Sequence, residues 1–389
     1  MNVVLRAPAL SISGYGVHSR QIFKWLETHK ERDIGSLTTQ VVQWGDTSWM
    51  INPEFEDGLV NRIMSTSNAS SSNFDLSVQV QLPDEWDPNL ASKNIGISAV
   101  VETDKCSPVW INGVNSMDLV IVPSTHAKQC LLNSGQVSTP IHVVPEWYFS
   151  KIDNYDADSG LDLNLDTSFN FLMISQFTGQ NPENDRKNIY NTIKWFCESF
   201  PDDPDVGLIL KTNQGRGTAI DRQITKNVLR QILGSVRKTK FPRVHLVHGN
   251  LNTNEVTSLY MRDDVKCLLS LTRGEGFGLP LLEAAACGLP VMATNWSGHL
   301  DFLNMGKFLA IDYRLCEIPN SRIDGRIFVE GMKWADPIES DFKKKIIKFR
   351  NKYDIPAQWA RDLSIKVKNT FSESAIIKNY DSCTEGLWK

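Results

Sequence analysis

A glycine-rich turn, entered from an apolar strand and left through a proline-led helix, is the feature of this sequence that leaves the fewest ways to fold. Residues 266–271 read as a short strand, Gly274, Gly276 and Gly278 mark the turn, a helix opens near Leu279, and residues 290–294 read as the next strand, entered through Gly288. Glycines lack Cβ, so the backbone turns tightly and a ligand can approach its amides. Pro280 falls in the first helical turn, where a missing N–H costs nothing, and Gly288 stands where a helix-ending glycine is expected. A helix start offers free amides and the positive end of the dipole, which suits a phosphate. Two carboxylates frame the turn: Glu275 lies in the glycine loop and Glu283 eight positions later on the helix. One can reach a sugar while the other reaches further along the same ligand.

The same alternation of strand and helix runs through the chain twice. Strands are expected at 3–6, 41–44, 76–82, 95–101, 118–124 and 141–145, with a helix from about 17 to 26 and another through 128–132. Residues 65–73, rich in Ser and Asn, read as a loop, and 151–167, polar and acidic, as a linker. The pattern then restarts with strands at 169–174, 206–211 and 244–247 and helices at 186–200, 218–237 and 254–261, before the glycine turn. Helices at 338–351, 356–371 and 373–387 close the chain. Two such runs predict an α/β protein of two doubly wound Rossmann-like domains facing across a cleft. Ligands of open α/β sheets bind beyond the carboxyl ends of the strands. Gly14 and Gly16, after the first strand, and Glu102 and Asp104, after the fourth, fall at such ends.

The run Gly274-Glu275-Gly276-Phe277-Gly278-Leu279-Pro280-Leu281-Leu282-Glu283-Ala284, continued by Ala286-Cys287-Gly288-Leu289-Pro290-Val291, resembles the Glu-x7-Glu signature of retaining glycosyltransferases of the GT-B fold. The resemblance is strongest over 240–340 and thin in the first ninety residues. It implies an acceptor-side domain at 1–165, a nucleotide-sugar domain at 166–371 and a final helix at 372–389 crossing back to the first. It also implies transfer of a sugar from a UDP- or GDP-sugar, with retention, without a metal or further cofactor, to an acceptor that could be a glycan, lipid, protein or modified nucleic-acid base.

By that resemblance Glu275, Lys187 and Glu102 are the candidate catalytic residues. Gly14, Gly16, Arg186, Lys211, Gly276, Phe277, Gly278, Leu279 and Glu283 are the candidates for holding the donor, Glu275 on the sugar hydroxyls and Glu283 on the ribose. Lysine is a compact charge for a phosphate and arginine a bidentate one. The sequence departs from the family pattern in three places: Gln176 stands where an arginine is usual, no histidine lies near Glu102, and Glu146-Trp147-Tyr148-Phe149 replaces His-Gly-Val-Asp. Those departures keep a catalytically inactive nucleotide-sugar or glycan binding protein open as the alternative, with a phosphorylase or epimerase on the same scaffold behind it.

Composition excludes other classes. A net charge of −4 gives no bulk reason for a polyanion partner, although a local basic patch is compatible with it. No run of eighteen apolar residues exists, and the start lacks the basic and apolar regions of a secretory signal, so a cytoplasmic protein is expected. Seven cysteines without close pairs read as reduced core residues, and the eleven tryptophans mainly as core. Asp156-x-Asp158, Asp203-x-Asp205 and His245-x-x-His248 read as chance matches to metal motifs.

Overall fold

Short apolar runs bounded by turn residues make strands that are covered on both faces, and parallel sheets are built from such strands. In the computed structural model, which describes residues 1–67 and 73–388, twelve of them form two six-stranded parallel sheets. Each sheet is the centre of one unit. The first unit comprises Met1–Trp147, Arg326–Val329 and Glu373–Lys389, the second Tyr148–Gly325 and Glu330–Ser372.

The first sheet contains β1 (Asn2–Ala7), β2 (Ser36–Val41), β3 (Leu76–Val80), β4 (Lys93–Ile97), β5 (Leu119–Val122) and β6 (Ile141–Val143), in the order β2-β1-β3-β4-β5-β6. Helices α1 (Gly14–Glu27), α2 (Phe55–Thr66), α3 (Pro108–Asn115) and α4 (Thr125–Leu132) connect them. The strand expected at 41–44 lies earlier. Ser36-Leu-Thr-Thr-Gln-Val41 pairs with β1 along its whole length, and Leu37, Thr38 and Thr39 are its buried residues. Threonine reads as polar in sequence, yet its branched Cβ suits a strand. Of the loop expected at 65–73, residues 65 and 66 end α2 and 68–72 lie outside the described residues.

The second sheet contains β7 (Phe169–Ile174), β8 (Val206–Thr212), β9 (Arg243–His248), β10 (Val265–Ser270), β11 (Val291–Thr294) and β12 (Leu309–Ile311), in the order β12-β11-β10-β7-β8-β9. Its helices are α5 (Ile189–Ser199), α6 (Ala219–Val236), α7 (Thr253–Met261), α8 (Leu279–Ala286), α9 (Leu300–Leu303), α10 (Glu339–Asn351) and α11 (Asp354–Thr370). Phe171, Phe196, Leu208, Leu269 and Phe349 are among the residues of its core, where aromatic rings meet edge to face. An antiparallel pair, β13 (Tyr313–Glu317) with β14 (Lys333–Pro337), stands apart from the sheet. The last helix, α12 (Glu373–Thr384), belongs to the first unit. There the Tyr380 hydroxyl meets His18 at 3.0 Å, Trp25 donates to Asp381 at 2.9 Å, and Trp388 stacks on His29.

Six tryptophans are buried and Trp49 is exposed; all seven cysteines are free, four of them buried. Among the described residues no helix is long and apolar enough to cross a membrane.

Candidate active site

Strand order in the second sheet reverses between β7 and β10, the point at which an open α/β sheet leaves a crevice between diverging loops. The loops that leave those two strands carry Lys187 and Glu275. They are tied by backbone: the Arg273 amide donates to the Arg186 carbonyl at 2.8 Å. Asp185, fully buried, orders the loop after β7. One of its oxygens accepts from the Thr178 amide and hydroxyl (3.0 and 2.7 Å), the other from the Ile189 amide at 2.7 Å, capping α5. Asn188, at φ 54°, makes the left-handed step from Lys187 into that helix.

Lys187 Nζ lies 2.6 and 2.7 Å from the two oxygens of Glu275. Arg186 donates to the Gly274 carbonyl at 2.7 Å and approaches Glu275 to 3.9 Å. Burial works to raise the pKa of Glu275, but the charges of Lys187 and Arg186 outweigh it and hold the carboxyl below its ordinary value. The carboxylate is therefore kept ionised inside the protein.

The segment after β11 fixes the turn from the other side. The Glu275 amide donates to Ser297 Oγ at 2.9 Å, and the Gly298 amide to the Glu275 carbonyl at 3.0 Å. His299 is buried, which pushes its pKa down, so the neutral ring donates from Nε2 to the Thr294 carbonyl at 2.7 Å. Its Nδ1 then faces Ser297 Oγ at 3.4 Å. A Cβ on Gly298 would meet the Gly276 carbonyl oxygen at 2.2 Å, so only glycine allows this contact.

At the start of α8, Gly278 adopts φ 101° and its carbonyl accepts from Leu281 and Leu282. The amides of Gly278 and Leu279 have no partner among the described residues, and Pro280 has none to offer. Phe277 differs from its neighbours: its side chain is a core residue packed on Phe302 and Phe371, so only its backbone borders the turn. Glu283 is also buried, with Tyr260 donating to it at 2.8 Å, and burial pushes its pKa up to about 8. Between the ordinary carboxyl range and that value the folded chain holds a proton that the unfolded chain has released. Rising pH through this window therefore favours unfolding. The expected result is a stability that falls as pH climbs from about 5 to 8, with a shallower slope in Glu283→Gln; equal slopes in urea titrations of the two proteins would contradict it.

The remaining candidates lie elsewhere. Lys211, at the end of β8, donates to the Gly249 carbonyl at 2.9 Å, and burial lowers its pKa to about 8. It makes no hydrogen bond to the Glu275–Lys187 pair. In the first unit, Gly14 and Gly16 form the first turn of α1 and not a loop; a Cβ on Gly16 would strike the Ser11 carbonyl oxygen at 1.9 Å. Glu102 is half-buried beyond β4, close enough that its charge adds to burial in raising the pKa of Tyr15, between those two glycines.

Sequence reasoning missed Arg273. Its guanidinium, 5% exposed, donates to the carbonyls of Pro182, Glu183 and Asp185 (2.8, 3.2 and 2.8 Å), pairs with Asp336 at 3.1 Å and lies over the Trp334 ring. It thus joins the Lys187 loop to β14, two residues before Glu275. No side-chain pattern in the sequence signals it, because most of its partners are backbone carbonyls. The metal-like motifs are occupied separately: His245 meets Thr167, His248 accepts from the Gln214 amide, and Asp156 and Asp203 bond their own turns. Among the described residues no group of three His, Cys, Asp or Glu could hold a metal.

Comparison with known proteins agrees with this geometry. Solved structures with the same fold include a glycosyltransferase from Rickettsia africae (TM-score 0.64, 15% identity, 100% of this chain and 98% of that one). Sucrose-phosphate synthase from Thermosynechococcus elongatus is similar at TM-score 0.61 and 14% identity, over 100% and 99% of the chains. A pneumococcal O-GlcNAc transferase, solved with UDP and GlcNAc, matches at TM-score 0.51 and 16% identity over 85% of this chain, which spans 60% of that one. No curated protein matches. The two parallel sheets and these likenesses define a GT-B fold. Residues 228–319, which contain the Glu275–Glu283 turn, match the model for glycosyl transferases group 1.

Proposed function

We propose that the second unit binds a UDP- or GDP-sugar at the switch point and that the protein transfers the sugar, with retention and without a metal, to an acceptor hydroxyl. In this reading the diphosphate lies against the start of α8 and Lys187. The bond from the anomeric carbon to the diphosphate oxygen breaks, its electron pair leaves with the nucleotide, and the acceptor oxygen takes its place and gives its proton to the departing diphosphate oxygen. The oxyanion that develops needs cations and amides already in place, because oriented donors in a site shielded from water are worth far more than solvated ones. Lys187, Arg186 and the amides of Gly276, Gly278 and Leu279 supply them. Glu275 accepts from the sugar hydroxyls, and Glu283 from the ribose after releasing Tyr260.

The observation that carries the reading is the Lys187–Glu275 pair, a partly buried ion pair beside the unpaired amides of Gly278 and Leu279 at the switch point. A fixed carboxylate and a fixed ammonium at one spot suit a ligand that is polyhydroxylated at one end and anionic at the other. The pneumococcal relative's complex with UDP and GlcNAc supports a UDP-sugar as the donor class. Lys211 would contribute a third cation, and Gly14, Gly16 and Glu102 of the first unit keep the donor-holding and catalytic roles that the resemblance implies for them, each as a further part of the proposal. The changed residues at Glu102 and Glu146 favour the competing reading, a binding protein without turnover. Release of free UDP or GDP from a panel of sugar nucleotides separates the two: the enzyme releases one of them, and Glu283→Ala raises KM before it lowers kcat. Stoichiometric binding without release by any donor would favour the inactive protein.

A further inference from the structure

An indole left in water keeps apolar surface exposed that a core position would bury. In the first unit Trp49 is 43% exposed and Ile51 75%, while Met50 between them is buried. They belong to the connection from β2 to α2, which leaves the carboxyl end of β2, the end at which open α/β sheets take their ligands. That connection is fixed. The Ile12 amide donates to the Ser48 carbonyl at 2.9 Å, the Met50 amide donates to the Leu10 carbonyl at 2.7 Å, and Ser11 Oγ meets Thr47 Oγ1 at 2.6 Å. Trp44 stacks on Tyr15 with ring centroids 4.0 Å apart. The Tyr15 hydroxyl in turn meets Ser98 Oγ at 2.9 Å and accepts from the Ala99 amide at 3.1 Å, three residues before Glu102.

The chemistry of this connection narrows what can occupy it. From 42 to 58 the chain holds four acids, Asp46, Glu54, Glu56 and Asp57, and neither lysine nor arginine. Glu56 pairs with the buried Arg20 at 3.4 Å, whereas Asp46, Glu54 and Asp57 are exposed and form no salt bridge among the described residues. Asp46 is three positions from Trp49, at most about 11 Å of extended chain, so an anion on the indole lies near its charge. A lipid phosphate or a nucleic acid is disfavoured there. A peptide finds no strand edge to join, because the backbone on either side of Trp49 is already bonded to residues 10 and 12. A sugar ring fits. Its axial C–H groups make one face apolar and slightly positive, matching the negative face of an indole, and its hydroxyls donate to carboxylates. An aromatic presented by a fixed backbone also loses little freedom on binding.

We propose that the acceptor is an uncharged saccharide whose ring stacks on Trp49, with carboxylates of the same connection accepting from its hydroxyls. The inference rests on the reading of the protein as a glycosyltransferase and names the acceptor class that this reading leaves open. Trp49 binds the acceptor and takes no part in breaking the donor bond.

Saturation-transfer NMR on the full chain, irradiating aromatic protons, tests it with malto-, cello-, manno- and chito-oligosaccharides, with oligogalacturonides as anionic saccharides, and with a polyprenyl phosphate and a peptide of Ser, Thr and aliphatic residues. Saturation is expected to reach at least one uncharged saccharide and none of the other probes. Trp49→Ala should weaken that binding at least about tenfold and raise KM for the same saccharide in transfer, the loss typical of truncating an aromatic anchor, and Trp49→Phe should restore much of it. The far-UV spectrum and the calorimetric binding of UDP or GDP should be unchanged in Trp49→Ala, and Lys187→Ala should keep the saccharide signal. Three results would overturn the proposal: no signal from any uncharged saccharide, an equal signal in Trp49→Ala, or binding of the oligogalacturonides, the polyprenyl phosphate or the peptide in their place. Nucleotide binding without a saccharide signal would sink this inference and leave the donor site standing; a saccharide signal without nucleotide binding would support the sugar site and contradict the donor reading.

Discussion

Lys187→Ala is expected to lower kcat by about a hundredfold to a thousandfold with the fold intact, the loss typical of one pre-placed donor to a developing oxyanion. The effect is large because the lysine serves two charges. It is the main counter-charge that keeps the buried Glu275 ionised, and Arg186, at 3.9 Å, is too distant to replace it. Without Lys187 the carboxylate either takes up a proton, losing its acceptor for the sugar, or stays charged and repels the diphosphate. Glu275→Gln should likewise remove most turnover, yet leave nucleotide binding nearer to normal, because Lys187 is then released to the phosphates. Near-normal turnover in both variants, measured as nucleoside diphosphate released, would refute the assignment.

Arg273→Ala is expected to destabilise the second unit by about 1–3 kcal/mol, the cost of leaving buried hydrogen-bonding groups unsatisfied, since Arg273 is buried while its carboxylate partner Asp336 is only half-buried. The carbonyls of Pro182 and Glu183 lose the Arg273 donor, that of Asp185 keeps the Asn188 amide at 2.9 Å, and Asp336 keeps Arg314, an exposed partner. Arg273→Lys should recover only part of this, since an ammonium cannot span three carbonyls and a carboxylate as the guanidinium does. Urea unfolding reads the result; a loss below about 1 kcal/mol for Arg273→Ala, the value for an exposed pair, would show that the cluster does not hold the Lys187 loop.

The parts of this molecule that sequence makes legible are those whose cause is local. Strands β7, β8, β10 and β11 announce themselves as apolar runs because both faces are covered, and α6 and α8 because Thr218, Pro280 and Gly288 mark their ends. The pairing of Lys187 with Glu275 bridges 88 positions, and only the motif's resemblance brought those residues to the same place in advance. Strands β13 and β14 were not legible: Arg314, Leu315 and Glu317 are exposed, so the pattern of a buried strand is missing, and the partner stands beyond a long connection. Arg273 was hidden differently. Its partners are mostly backbone carbonyls, which no side-chain pattern reveals. The burial of Glu283 behind Tyr260 is a packing result, and a spacing of eight residues from Glu275 carries no information about it.

Calorimetric titration of UDP and GDP into the wild-type protein and Lys187→Ala tests the donor site most directly. The account predicts saturable binding of at least one nucleotide to the wild type, weakened at least about tenfold by the substitution, as expected for losing a charge-assisted bond to phosphate. Binding of the same strength in both proteins, or of neither nucleotide to the wild type, would contradict it.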